Sequence, residues 1–168
     1  MSDNHLTDLL IDLAKEDVKF IICGGVAAVL HGVERMTLDL DIAIDFETAN
    51  IQKFLSVIKQ THLVPRAPIP GETLLDPAKI KLLIQEKNAR VFTFTDEEKP
   101  WRQIDVFITE DHAYNHILSD TVSMMIGGYK ILVVTKERLI QMKRAISPIR
   151  EKDIHDIQIL IRLQEKYE

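Results

Sequence analysis

Asp39 and Asp41 stand one residue apart in Leu38-Asp39-Leu40-Asp41-Ile42-Ala43-Ile44-Asp45-Phe46, a run in which acids alternate with apolar residues. A period of two predicts a strand with Leu38, Leu40, Ile42, Ile44 and Phe46 on one face and Asp39, Asp41 and Asp45 on the other. At about 3.3 Å per residue, the α-carbons of Asp39 and Asp41 lie roughly 6.6 Å apart. Carboxylates at that spacing repel each other when bare and can bind hard divalent cations through oxygen. Acids on the wet face of a half-buried strand are also ordinary, so the pair gains meaning only from its neighbours. A calcium loop is not that meaning, because the twelfth position counted from Asp39 is Asn50 rather than glutamate.

The neighbours form an ordered set. Val18-Lys19-Phe20-Ile21-Ile22 reads as a buried strand, Gly24-Gly25 as a turn, and Val26 to His31 as a short helix. A helix start preceded by glycines offers free amides to a phosphate. The run Gly24-Gly25-Val26-Ala27-Ala28 lacks both the G-x-G-x-x-G dinucleotide spacing and the G-K-[ST] of a P-loop. A third acid, Asp105, sits in the apolar strand Trp101 to Ile108. A carboxylate there needs a ligand, a solvent edge or an ion pair with a residue such as Arg102 or Arg90.

The order glycine pair, Asp-x-Asp, then Asp resembles the nucleotidyltransferase-fold superfamily, which includes polymerase-beta-like enzymes and antibiotic nucleotidyltransferases. More narrowly, G-G-V-A-A-V-L-H-G-V-E-R-M-T-L-D-L-D-I-A-I-D is similar to small bacterial members of the abortive-infection and toxin-antitoxin type. The later segments Leu139 to Arg144 and Arg150 to Ile157 are also similar to theirs, and the resemblance spans roughly residues 18 to 160. It implies that Gly24 and Gly25 cradle the triphosphate of a nucleotide such as ATP, and that Asp39 and Asp41 hold two Mg2+ ions, with Mn2+ as a substitute. Asp105 would be the third carboxylate, binding the catalytic metal and activating the attacking hydroxyl. Many relatives carry Gly-Ser where this chain has Gly24-Gly25, so a serine hydroxyl contact to phosphate is missing here.

Other polar residues carry smaller weight. Arg35 and Thr37 precede the acids; the resemblance puts the arginine near the nucleotide, and a solvated loop arginine is the competing reading. Lys143 lies among the apolar positions of its helix, where a lysine needs a route to solvent or an anion, either phosphate or acid. Lys152 and Asp156 are four apart on one helix and can pair with each other. The histidines, including His31, His112, His116 and His155, have no zinc-binding spacing.

The chain has 168 residues, 46% of them hydrophobic, enough for a buried core in one domain. A net charge of −5 argues against a general grip on nucleic acid, though a local basic patch stays open. The single cysteine, Cys23, lies on an apolar strand and reads as a buried thiol. No apolar leader and no stretch of eighteen apolar residues is present, so the expected compartment is the cytoplasm and no membrane partner is expected.

Leu6, Leu9, Leu10 and Leu13 predict a first helix capped by Asn4 or Thr7. Ile51, Phe54, Leu55 and Ile58 predict a second, and Ile80, Leu83 and Ile84 a third after Asp76-Pro77. Val64 to Gly71, with three prolines and a glycine, reads as an irregular connection forming one wall of the site. Arg90 to Phe94 and Gln103 to Ile108 predict a strand pair, and Val122 to Met125 with Tyr129 to Val134 a hairpin around Gly127-Gly128. Thr135 starts a helix that Pro148 ends, and Ile154, Ile157, Leu160 and Ile161 mark the buried stripe of the last one. The expected fold is α+β: a central mixed β-sheet with flanking helices in one nucleotidyltransferase-like domain, residues 1–168, with 135–168 a helical extension.

The expected reaction is nucleotidyl transfer from a nucleoside triphosphate to a hydroxyl of a protein, RNA or small-molecule acceptor. The second wall of the site could come from a second copy in a homodimer, from the C-terminal helices, or from an antitoxin-like partner protein. Two other classes use the same residues: a nucleotide- or partner-binding module that has kept the fold, and a metal-dependent nuclease.

Overall fold

The computed structural model describes residues 5–167. Helix α1 (His5–Lys15) buries Leu9, Leu10 and Leu13, as the leucine stripe predicts. Of its two expected caps, Asn4 lies outside the described residues and Thr7 lies within the helix. Strand β1 (Phe20–Cys23) is buried at every position, the pattern of a strand covered on both faces. The chain continues through α2 (Gly24–Leu30), β2 (Asp39–Ile44), α3 (Thr48–Gln60) and the short β3 (Val64–Pro65). Helix α4 (Pro77–Lys87) starts where the Asp76 carboxylate accepts from the Ala78 and Lys79 amides, with Pro77 at a position that needs no donor.

Strands β4 (Val91–Thr95) and β5 (Gln103–Phe107) are joined across the acidic turn, followed by the short helix α5 (Tyr114–Ile117). Strands β6 (Thr121–Ile126) and β7 (Tyr129–Val134) form the expected hairpin. Gly127 and Gly128, at φ 56° and 82°, supply the two left-handed residues its tight turn requires. The Thr135 hydroxyl accepts from the Arg138 amide to cap α6 (Lys136–Arg144), and α7 (Glu151–Tyr167) packs against α6.

The seven strands make one mixed sheet in the order β3-β4-β5-β2-β1-β7-β6. β5 with β2 and β1 with β7 are parallel, and the other four pairings are antiparallel. Phe54 of α3 meets Phe94 of β4 edge-on at 5.7 Å, so α3 covers the face that carries Phe92, Phe94, Ile104 and Val106. The opposite face carries Thr93, Asp105 and Asp41, and there α2 touches both β2 and α6. Asn50 of α3 ties the ends of β1 and β2 together. Its side chain accepts from the Lys19 amide at 2.7 Å and donates to the Lys19 and Asp45 carbonyls.

The strand predicted from Leu38 to Phe46 is shorter than its alternation. Leu38 and Phe46 fall outside β2 and are 49% and 38% exposed, so the alternation runs on past both ends of the strand. Among the described residues no helix is long and apolar enough to cross a membrane.

Candidate active site

The register of β2 decides where the carboxylates go. Asp41 is the Cα partner of Asp105 in the parallel pairing with β5 and of Cys23 in the antiparallel pairing with β1. The chain leaves β1 at Cys23 and turns at Gly24, which therefore lands against Asp41. A Cβ at Gly24 would lie 2.0 Å from Asp41 Oδ2, and its φ of 62° is left-handed, so side chain and backbone both demand glycine. Gly25 is crowded from elsewhere: a Cβ there would sit 2.7 Å from both Arg35 Nη2 and Thr37 Oγ1. The missing serine of the Gly-Ser pattern has a physical cause here, since Arg35 and Thr37 occupy its space.

Arg35 cannot easily yield that space. Its guanidinium grips Asp156 with two parallel bonds of 2.9 Å, and Asp156 is fully buried. Lys143, 4% exposed, reaches Asp156 at 2.9 Å and Asp153 at 3.2 Å, and Arg150 closes the set by binding Asp153 at 2.6 Å. Lys143 therefore has the acid contact rather than a free route to solvent, and Arg35 is no solvated loop residue. Burial works against the charged form of Asp156; hydrogen bonds from Arg35 and Lys143 overcome it and hold its carboxyl below the usual range. Asp153 is depressed in the same way by Arg150 and Lys143, again against burial.

The carboxylates of the sheet show the opposite behaviour. Burial, then the charge and hydrogen bond of Asp105, push Asp41 up to about 7. Asp39 is also raised, by burial and then by Asp105, with Lys152 and Arg66 opposing. Neither expected arginine pairs with Asp105: Arg90 meets Asp111 at 3.3 Å and Arg102 meets Asp96 at 3.8 Å. Asp105 instead accepts from Thr93 Oγ1 at 2.6 Å and from Gln103 Nε2 at 3.1 and 3.0 Å.

A cleft of about 610 Å³ gathers these parts, and Gly24, Gly25, Arg35, Thr37, Asp39, Asp41, Asp105 and Lys143 all line it. Its far end is walled by Phe107, on which His112 stacks at 4.7 Å. The connection from Val64 to Gly71 is not part of the cleft lining, contrary to expectation; Arg66 bears on it indirectly, through its hydrogen bond to Gln103 Oε1 and its charge felt by Asp39. Buried Cys23 has its thiol pushed far up by burial, which removes it as a nucleophile.

Asp153, Thr93 and Gln103 are residues that sequence reasoning missed, and Asp156 was given the wrong partner. A signal existed for the two acids of α7: Asp153, Asp156, Ile157 and Leu160 share one helical face, so α7 aims two acids inward. Ile154, expected on that face, is 42% exposed. The expected pairing of Lys152 with Asp156 gives way to Arg35 and Lys143, while Lys152 lines the cleft.

The donors suit a hard divalent cation in kind, being carboxylate oxygens whose mutual crowding a cation would relieve. Among the described residues no group of three His, Cys, Asp or Glu side chains is already arranged as a metal cage.

The mixed sheet, its flanking helices and the C-terminal helix pair define a protein of the nucleotidyltransferase fold. Solved structures share it, among them the following two. A lincosamide antibiotic adenylyltransferase, LnuA, solved with lincomycin bound, superposes with a TM-score of 0.64 at 17% identity, covering 97% of this chain and 98% of that one. An antigenic nucleotidyltransferase-like protein from Paracoccidioides brasiliensis gives 0.56 at 16% identity, covering 97% of this chain and 78% of that one. Residues 8–167 match the family of the nucleotidyl transferase AbiEii toxin of type IV toxin–antitoxin systems, and the chain belongs to that family. It is a nucleotidyltransferase. Comparison with curated protein sequences finds no match.

Proposed function

We propose that this protein moves a nucleoside monophosphate from a nucleoside triphosphate to a hydroxyl of an acceptor, with Mg2+ held by Asp39, Asp41 and Asp105. The observation that carries this reading is that Asp39, Asp41 and Asp105, the glycine turn, and Arg35 and Lys143 among other cations line one cleft. When bound, Mg2+ would neutralise the triphosphate and polarise the α-phosphoryl group. Mn2+ has the same oxygen preference and would substitute.

The chain's own residues do the rest. Backbone amides at Gly24 and Gly25 would receive phosphate oxygens, taking the part a serine hydroxyl plays in the Gly-Ser pattern. Arg35 and Lys143 stand beside them and would add charge to the leaving pyrophosphate, their positions fixed by Asp153 and Asp156. Asp105 would accept the proton of the acceptor hydroxyl as its oxygen attacks the α-phosphorus. One O–P bond forms, the bond to the β-phosphate oxygen breaks, and pyrophosphate leaves. Positioning and charge stabilisation would supply most of the rate, as in phosphoryl transfer generally.

The acceptor would enter along the open side of the cleft, and α6 and α7 form its second wall within one chain. An antitoxin-like protein fits the family as a partner. Incubating purified protein with α-labelled triphosphates, ATP first, Mg2+ and a cell extract tests the reading and finds the acceptor. Label transferred to a macromolecule or metabolite by wild type and not by Asp41→Asn supports it. Degraded nucleic acid would point to a nuclease, and tight triphosphate binding without turnover to a binding module.

A further inference from the structure

We infer that Gln103 and Thr93 are positioning residues for Asp105, and that Arg66 fixes the orientation of Gln103, so two strands and the residue that follows a third aim one carboxylate. The inference rests on the reading of Asp105 as the third acid of the site. Thr93 is the Cα partner of Asp105 in the antiparallel β4–β5 ladder, so both side chains leave the same face of the sheet. Its hydroxyl is 2.6 Å from Asp105 Oδ1. Gln103 lies two residues before Asp105 on β5, again on the same face, and its amide nitrogen reaches both carboxylate oxygens at 3.1 and 3.0 Å.

The direction of the Gln103 amide is fixed rather than free. Arg66 has only donors, so the Gln103 oxygen must face it, and the nitrogen must then face Asp105. Arg66 follows the two-residue strand β3, and its own amide binds the Thr93 carbonyl at 2.9 Å. The short edge strand thus holds in place the residue that orients the glutamine.

The lone-pair count gives the consequence. An ionised carboxylate offers about four acceptor sites. Thr93 and Gln103 engage both carboxylate oxygens from one side, so the lone pairs left for Asp41, a cation or a substrate proton keep a fixed direction toward the cleft. Among the described residues Asp39 and Asp41 have no such pair of neutral side-chain donors. Asp105 is therefore the acid whose rotamer is set before substrate arrives, and removing its donors would free it to turn. Loss of such supporting hydrogen bonds typically costs about 10- to 100-fold in metal affinity or activity.

The test compares Thr93→Val, Thr93→Ser, Gln103→Leu and Arg66→Ala with wild type and Asp105→Asn. Melting temperature reports folding, calorimetry with Mn2+ reports metal affinity, and steady-state transfer reports kcat and the triphosphate KM separately. Thr93→Val is isosteric and Gln103→Leu keeps size, so both are expected to fold. They should lose about 10- to 100-fold in kcat and in Mn2+ affinity with KM changed little, while Thr93→Ser, which keeps the donor, restores most of both. Arg66→Ala should fall between. Wild-type kcat and Mn2+ affinity in both Thr93→Val and Gln103→Leu, alongside an inactive Asp105→Asn, would overturn the inference and leave the site reading standing. An active Asp105→Asn would overturn the site reading itself. If Gln103→Leu fails to fold, the Thr93 pair decides alone: equal values for Thr93→Val and Thr93→Ser would overturn the inference.

Discussion

Asp41 and Asp105 are direct Cα partners across the parallel pairing of β2 with β5, so two carboxylates from strands far apart in sequence face one cleft. Their contact costs the free protein stability, and the cost is placed on Asp41, which is pushed up to about 7 by burial and by Asp105. A group of this kind is retained when a ligand offsets the repulsion or when reactivity needs it.

The sign of that cost makes a pH prediction. Between about pH 4 and pH 7 folded Asp41 keeps a proton that the unfolded chain has released. Its stabilising contribution is therefore full below the unfolded value and lost as pH rises through about 7. In a metal chelator, the gap in melting temperature between Asp41→Asn and wild type should widen from pH 5 to pH 8 in favour of the mutant. Parallel curves would contradict the crowding.

The same substitution separates folding from chemistry. Asp41→Asn should keep the fold while transfer falls by about 10²-fold or more, because a charge that positions metal and phosphate is gone. A circular dichroism spectrum beside a transfer assay reads both.

Asp156 has the opposite sign. Its carboxyl is held down in spite of burial by Arg35 and Lys143, so its contribution is present at neutral pH and lost as pH falls below the ordinary carboxylate range. Asp156→Ala leaves two cations with a buried partner missing and should cost about 3–5 kcal/mol in urea unfolding at pH 7. At pH 3 the difference should narrow.

Gly25→Ala should displace Arg35, since the new Cβ would stand 2.7 Å from Nη2. The expected result is weaker triphosphate binding by calorimetry and a lower melting temperature. In an Arg35→Ala background the cost of alanine at 25 should shrink to the part set by Thr37, whose Oγ1 also stands 2.7 Å from the new Cβ, a coupling that a double-mutant cycle would measure.

How much of this was legible follows from range. The β2 acids, the glycine turn and Asp105 were readable because period-two alternation and glycine are local signals. The partners of Asp105 were not, because register across β4 and β5 and the reach of Arg66 from β3 are long-range facts that no window of sequence contains. Lys143 announced its need for an anion, but the answer lay on α7, where Asp153 and Asp156 share the buried face with Ile157 and Leu160 and Ile154 turns outward. Leu38 and Phe46 misled in the other direction: alternation continued beyond the point where the sheet stopped.

The central claim is transfer of the α-phosphoryl nucleotide with loss of pyrophosphate, and paired labelling of the donor tests it most directly. Wild-type protein, Mg2+ and extract would be given either α-labelled or γ-labelled triphosphate, with Asp105→Asn run beside it. The account predicts that α-label enters the acceptor, γ-label leaves as pyrophosphate, and Asp105→Asn does neither. Incorporation of γ-label, or release of pyrophosphate by Asp105→Asn at the wild-type rate, would contradict it.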